Sequence, residues 1–76
     1  RITYELNTET NVTVEIVDMR GRIVRRDNLG RLSAGAQGYK WNATNAQGTK
    51  VSEGAYVIRL ITDHETLTEQ VLYLPN

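Results

Sequence analysis

The sequence predicts an all-β chain, an antiparallel β-sandwich of about seven strands. Three observations lead there. Apolar residues alternate with polar ones along most of the chain, the pattern of half-buried strands. β-branched residues and tyrosines fill these runs, and they suit a pleated surface better than a helix. Turn sequences with Asp or Asn ahead of Gly punctuate the runs, as in hairpin connections.

The elements follow in order. Ile2, Tyr4 and Leu6 share one face, with Thr3 and Glu5 on the other. Val12, Val14 and Ile16 repeat the pattern, with Thr13 and Glu15 opposite. Ile23 and Val24 open a third strand that ends in Arg25 and Arg26. Tyr39 to Trp41 reads as a short fourth, and Lys50 to Ser52 as a shorter fifth. Ala55 to Thr62 is the longest apolar stretch, with Tyr56, Ile58 and Leu60 on one side and Val57, Arg59 and Ile61 on the other. The last strand runs from about Thr66 to Leu74. Pro75 falls beyond it, outside any sheet interior.

The segments Asp18 to Gly21, Asp27 to Gly30 and Asn45 to Gly48 share one spacing. An Asx side chain there accepts a backbone N–H two residues on, and Gly takes the left-handed φ that other residues resist. Each is expected to join two antiparallel strands. Gly54 is expected to turn the chain into the longest strand. Trp41, the only tryptophan, is expected to plug the core between two sheets. A sugar-stacking role for it would call for coplanar aromatics, and the four tyrosines are scattered.

With 76 residues the chain makes one domain, spanning 1–76. Such a chain buries only about 60% of its unfolded surface, too little to enclose a deep active site. The absence of cysteine removes disulfides and thiolate metal sites. Nine Lys+Arg balance nine Asp+Glu, so net charge gives no argument for nucleic acid or an anionic membrane. The chain begins directly on a strand-like pattern. It is therefore expected to be a module of a larger protein, at that protein's C-terminus.

The catalytic inventory is thin. His64, the only histidine, lies in Asp63-His64-Glu65, expected to be a solvated hairpin tip. Consecutive strand residues face opposite ways, so that triplet does not converge on a metal ion. Ser33 and Ser52 lie in no nucleophile elbow. Glu5 and Glu15 read as cross-strand neighbours on a wet face, unsuited to acid–base work. No enzyme activity, cofactor or metal is expected.

Five of the nine basic residues, Arg20, Arg22, Arg25, Arg26 and Arg31, fall in one short window. They read as a solvated edge whose charges resist strand-to-strand aggregation. The functional alternative is a docking patch for an acidic surface. No aromatic residue interleaves them to stack bases, so nucleic acid is not expected.

The strings ITYEL, VTVEIVDMRGRIV and GYKWNATNAQGTKVSEGAYVIRL resemble a bacterial family of Ig-like modules. That family includes the flagellar hook-capping type and the C-terminal sorting domains of the type IX secretion system. Its Asp, Gly, Arg, Val turn motif lands on Asp18, Gly21, Arg22 and Val24. Its Trp, Gly, Val, Gly, Tyr series lands on Trp41, Gly48, Val51, Gly54 and Tyr56. The family often has Trp-Asp-Gly where this chain has Trp41-Asn42-Ala43.

The resemblance implies an Ig-like or fibronectin-III-like fold without catalysis. Its first reading is a sorting or cell-surface attachment domain of a secreted bacterial protein. The outer-membrane secretion machinery would be its partner. The second is a structural spacer or assembly module that packs on neighbouring domains or on copies of itself through an edge strand. The third is a carbohydrate-binding accessory module. The recognition residues would be Asp18, Gly21 and Arg22 at the turn, and Val71, Leu72, Tyr73 and Leu74 on the final strand.

Overall fold

The computed structural model describes residues 1–74. Pro75 lies outside them. Six strands occur among the described residues: β1 (Ile2–Leu6), β2 (Thr10–Asp18), β3 (Ile23–Leu32), β4 (Gly35–Tyr39), β5 (Gly54–Thr62) and β6 (Thr66–Tyr73). Every pairing is antiparallel. β3, β2, β5 and β6 form one sheet in that order, and β1 pairs with β4 in a second. The two sheets enclose the core, which confirms the all-β sandwich.

The alternating residues build that core. Val12, Val14 and Ile16 of β2 are fully buried. Tyr56, Ile58 and Leu60 line up beside them on β5, and Leu6 and Tyr39 cover them from the second sheet. Burying each such side chain stabilises the fold by roughly 1.5–3 kcal/mol. Trp41 packs on the margin of this cluster. Its ring meets Tyr56 edge-on at 5.1 Å, and its Nε1–H donates to the Thr44 carbonyl at 2.9 Å. It packs half-buried at the core's edge rather than plugging its centre, with its polar edge satisfied.

Three expectations need correction. First, the strands among the described residues number six, because Lys50 to Ser52 supplies only a single bridge, from Thr44 to Lys50. Second, Asp27 to Gly30 is no hairpin turn but lies inside the ten-residue β3. Val12 faces Gly30 while Thr13 faces Asn28, so Leu29 is an extra residue in the ladder. Gly30 takes φ 76° there, and its N–H donates to Asn28 Oδ1 at 2.9 Å. The Asx–Gly chemistry thus builds a β-bulge. Third, Glu5 and Glu15 are not neighbours, because β1 and β2 belong to different sheets.

A polar network closes the side of the sandwich between β3 and β4. Arg25 and Asp27 project from the inner face of β3 next to Val14 and Ile16 partners. Arg25 Nε donates to Asp27 at 3.0 Å, and Arg25 Nη1 donates to Thr44 Oγ1 at 3.1 Å and to the Asn45 carbonyl at 2.9 Å. The Tyr39 hydroxyl donates to the same Asp27 carboxylate. Burial, followed by that bond to Asp27, pushes the Tyr39 phenol far above its ordinary range. The network thereby anchors the long loop between β4 and β5.

Candidate interaction surface

The structure brings the sequence-predicted recognition residues to one end of the larger sheet. Asp18 pairs with Tyr56, and Tyr56 pairs with Val71, so all three sit in one row across β2, β5 and β6. The turn after β2 lies beside this row. Leu72 faces Ala55 on the next row.

The turn is self-contained. Asp18 Oδ1 accepts the N–H of Arg20 at 2.9 Å and of Arg22 at 3.0 Å. Its Oδ2 accepts Arg22 Nε at 2.9 Å. The Gly21 N–H donates to the Asp18 carbonyl at 3.0 Å, and Gly21 takes φ 85°. Asp18 and Arg22 are therefore spent inside the turn, and Gly21 supplies conformation rather than contact. Asn45 repeats the same device, with its Oδ1 accepting Gln47 and Thr49 N–H groups at 3.0 Å each.

The Arg22 N–H, followed by the Arg20 N–H and the Arg22 guanidinium, holds the Asp18 carboxyl below the usual carboxylate range. A depressed folded-state pKa adds stability above the unfolded value of about 3.9, lost as the pH falls through the folded value. The thermal midpoint is expected to drop in this acid window. Asp18→Asn keeps an acceptor for both N–H groups, as Asn45 shows, but cannot titrate. Its midpoint is expected to fall less steeply below about pH 4. A pH series of melting curves checks the difference in slope.

Val71 and Tyr73 are half-buried against the core. Leu72 and Leu74 are exposed, at 65% and 63%. Met19 and Ile23, beside the turn, are exposed at 63% and 48%. Sequence reasoning missed Met19 and Ile23. Strand polarity was the available signal, since it places the end of β2, the start of β3 and the end of β6 at the same end of the sheet. These side chains give one end of the larger sheet an apolar character that its own fold does not use. β6 pairs only with β5, so its outer edge is open.

The arginine window is not a free basic patch. Arg22 binds Asp18, Arg25 binds Asp27, Arg26 binds Glu15 and Arg31 binds Glu9, all at 3.0 Å or less. Arg20 alone of the five has no carboxylate partner among the described residues. Glu15 is the most enclosed acid, with 9% side-chain exposure, and Arg59 reaches its other oxygen at 3.3 Å. Arg26, Glu15 and Arg59 thus form a charged rung across three strands of the outer face.

No group of three or more His, Cys, Asp or Glu side chains that could hold a metal occurs among the described residues. His64 sits at the β5–β6 hairpin tip, its N–H donating to Thr62 Oγ1 at 3.1 Å.

Comparison with known proteins specifies the lineage. A family model described as "FlgD Ig-like domain" matches residues 2–65. The chain is 39% identical over 49 residues to "Basal-body rod modification protein FlgD" of Salmonella typhimurium, covering 64% of this chain and 21% of that protein. The Escherichia coli K12 protein of the same name is 33% identical over the same length. The chain therefore spans about a fifth of these relatives, at 21% of each. The crystal structure of FlgD from Pseudomonas aeruginosa superposes with a TM-score of 0.74 at 29% identity, over 92% of this chain and 55% of that one.

These matches overturn two expectations. The relatives are basal-body rod modification proteins, which contradicts a type IX sorting domain as the main reading. The expected secreted or cell-surface location falls with it. The outer-membrane secretion machinery is left without support as a partner. The hook-capping side of the resemblance is the part that the matches carry.

Proposed function

The chain belongs to the FlgD Ig-like domain family, and from that premise we propose that it is a non-catalytic assembly module of a flagellar hook-capping protein. Its partners are neighbouring domains or other subunits of the hook assembly. The family match over residues 2–65 carries the reading. The geometry supports it from another side. The Asx motifs of the chain are consumed in turns and a bulge, while Met19, Ile23, Leu72 and Leu74 stay exposed at one end of the larger sheet and the edge of β6 stays open. Such a surface acts by packing.

Grafting tests this. Residues 2–74 replace the Ig-like domain of the Salmonella typhimurium relative in a strain lacking its own copy. The graft is expected to restore hooks visible by electron microscopy. A graft present at normal levels, folded, and without hooks would count against the reading.

A further inference from the structure

The larger sheet ends in two edge strands, β3 and β6, and they differ in how they are guarded. An open edge presents unpaired N–H and C=O groups to which another strand can add. The ladder of β3 with β2 shifts register twice, and bulges twist an edge away from a new partner. β3 also carries Arg25, Arg26 and Arg31. The Ala46 N–H donates to the Val24 carbonyl at 3.2 Å, so the β4–β5 loop already occupies part of this edge.

β6 has none of these guards among the described residues. It is eight residues long and pairs with β5 without a register shift. It contains no proline and no cation, and Glu69 is its only charge. Residues 66–70 and Leu72 are exposed. In the smaller sheet β1 and β4 offer only five residues each. β6 is therefore the longest regular open edge among the described residues.

The hairpin before β6 sets the direction of its free backbone groups. The Thr62 N–H donates to the Glu65 carbonyl at 2.9 Å. Hydrogen-bonded pairs alternate along an antiparallel ladder. Leu67, Glu69 and Val71 therefore turn their backbone groups to Leu60, Ile58 and Tyr56. Thr68, Gln70 and Leu72 turn theirs to the open edge. Side chains alternate as well. Val71 and Tyr73 pack on the core side, which places Leu67 and Glu69 on that face and Thr68, Gln70 and Leu72 on the outer one.

Two copies of one strand pair antiparallel about a two-fold axis normal to the sheet, which keeps like faces together. Outward-bonding residues then face one another. The two such registers nearest the middle of β6 put either Glu69 or Gln70 on the axis. With Glu69 there, two carboxylates stand directly opposite, which is unfavourable. We propose that the domain pairs with a second copy of itself through β6, with Gln70 on the two-fold axis. Gln70 then bonds Gln70 and Thr68 bonds Leu72, each pair exchanging two N–H···O bonds. On the core side Leu67, 40% exposed, meets Tyr73 of the second copy, an aliphatic–aromatic cross-strand pair. Glu69 faces Val71. The two four-stranded sheets become one of eight strands. This inference rests on the assembly-module reading and names its partner.

A strand of eight residues is about 26 Å long. Its edge offers well under the ~800 Å² per partner of a stable interface. The isolated pair is therefore weak, with Kd on the order of a millimolar, and gains strength when copies are already held together.

NMR dilution of the chain tests this. The amides of Thr68, Gln70 and Leu72 are expected to shift together with concentration. In a mixture of labelled and unlabelled chain, the Glu69 Hα is expected to show a contact to the Val71 Hα of the other copy, which reports the register. Position 70 faces itself, so Gln70→Lys and Gln70→Glu should each abolish the shifts by opposing like charges, with the circular dichroism of the wild type. A one-to-one mixture of the two variants should restore association. Gln70→Pro removes an N–H that β5 does not use, so it too should stay folded and monomeric. A wild type with no concentration dependence, shifts centred on β3 or on the β2–β3 turn, or a Lys–Glu mixture that stays monomeric would each overturn the pairing. None of these results bears on whether the graft builds hooks, so the two readings fail separately.

Discussion

Ile16→Ala is expected to leave the chain largely unfolded at 25 °C. Ile16 is fully buried at the centre of β2, flanked across the sheet by Arg25 and Ile58. Truncating such a side chain removes its transfer free energy and leaves a cavity, at a cost of about 2–5 kcal/mol. A small core without disulfides supplies only about 3–5 kcal/mol in total. The loss is therefore comparable to the whole stability. Ile16→Val, which removes one methyl, is expected to cost about 1 kcal/mol and to stay folded. Urea titrations followed by circular dichroism check both. An Ile16→Ala midpoint close to wild type would show that the core is not where the sheets meet.

Glu15→Ala is the second large effect expected. Glu15 lies on the outer face of the sheet yet keeps only 9% side-chain exposure, because Arg26 and Arg59 fold over it at 2.6 and 3.3 Å. Removing the carboxylate leaves two like charges on either side of β2 with nothing between them to balance them. Breaking a hydrogen-bonded ion pair of this enclosed kind costs about 2 kcal/mol. The two arginines retain access to water, which holds the figure below that of a fully buried pair. Arg26→Ala is expected to cost less, because Arg59 still balances the acid. The double variant is expected to be non-additive. Equal and additive losses in a double-mutant cycle would show that the three residues do not act as one unit.

Alternation made part of the fold legible. β5 was expected to begin at Ala55 and begins at Gly54, because Tyr56, Ile58 and Leu60 mark the buried face without interruption. β3 was cut short because Arg25 and Asp27 occupy inward positions. Only the tertiary partners Tyr39 and Thr44 make those positions tolerable. The local sequence carries no trace of those partners. β4 was displaced for a related reason. Gly35, Ala36, Gln37 and Gly38 have little strand preference of their own and are held by pairing with β1.

The candidate site shows a different limit. Asp18, Gly21, Arg22, Trp41 and Tyr56 carry the family resemblance, and the structure gives each a role in turn or core. A motif that builds the fold is common to every protein that uses the fold. It therefore could not separate a sorting domain from a hook-capping module. The residues left free by folding, Met19, Ile23 and Leu72, belong to no motif. Only the strand order places them at the same end of the larger sheet.

The central claim is that the apolar end of the larger sheet, rather than the turn motif, does the binding. The most direct measurement is hook assembly by the Salmonella graft carrying Leu72→Glu, beside the melting curve of the same variant chain. Leu72 is 65% exposed, so the stability change should stay within about 0.5 kcal/mol. The account predicts a folded graft that no longer forms hooks. Normal hooks on a folded Leu72→Glu graft would contradict it.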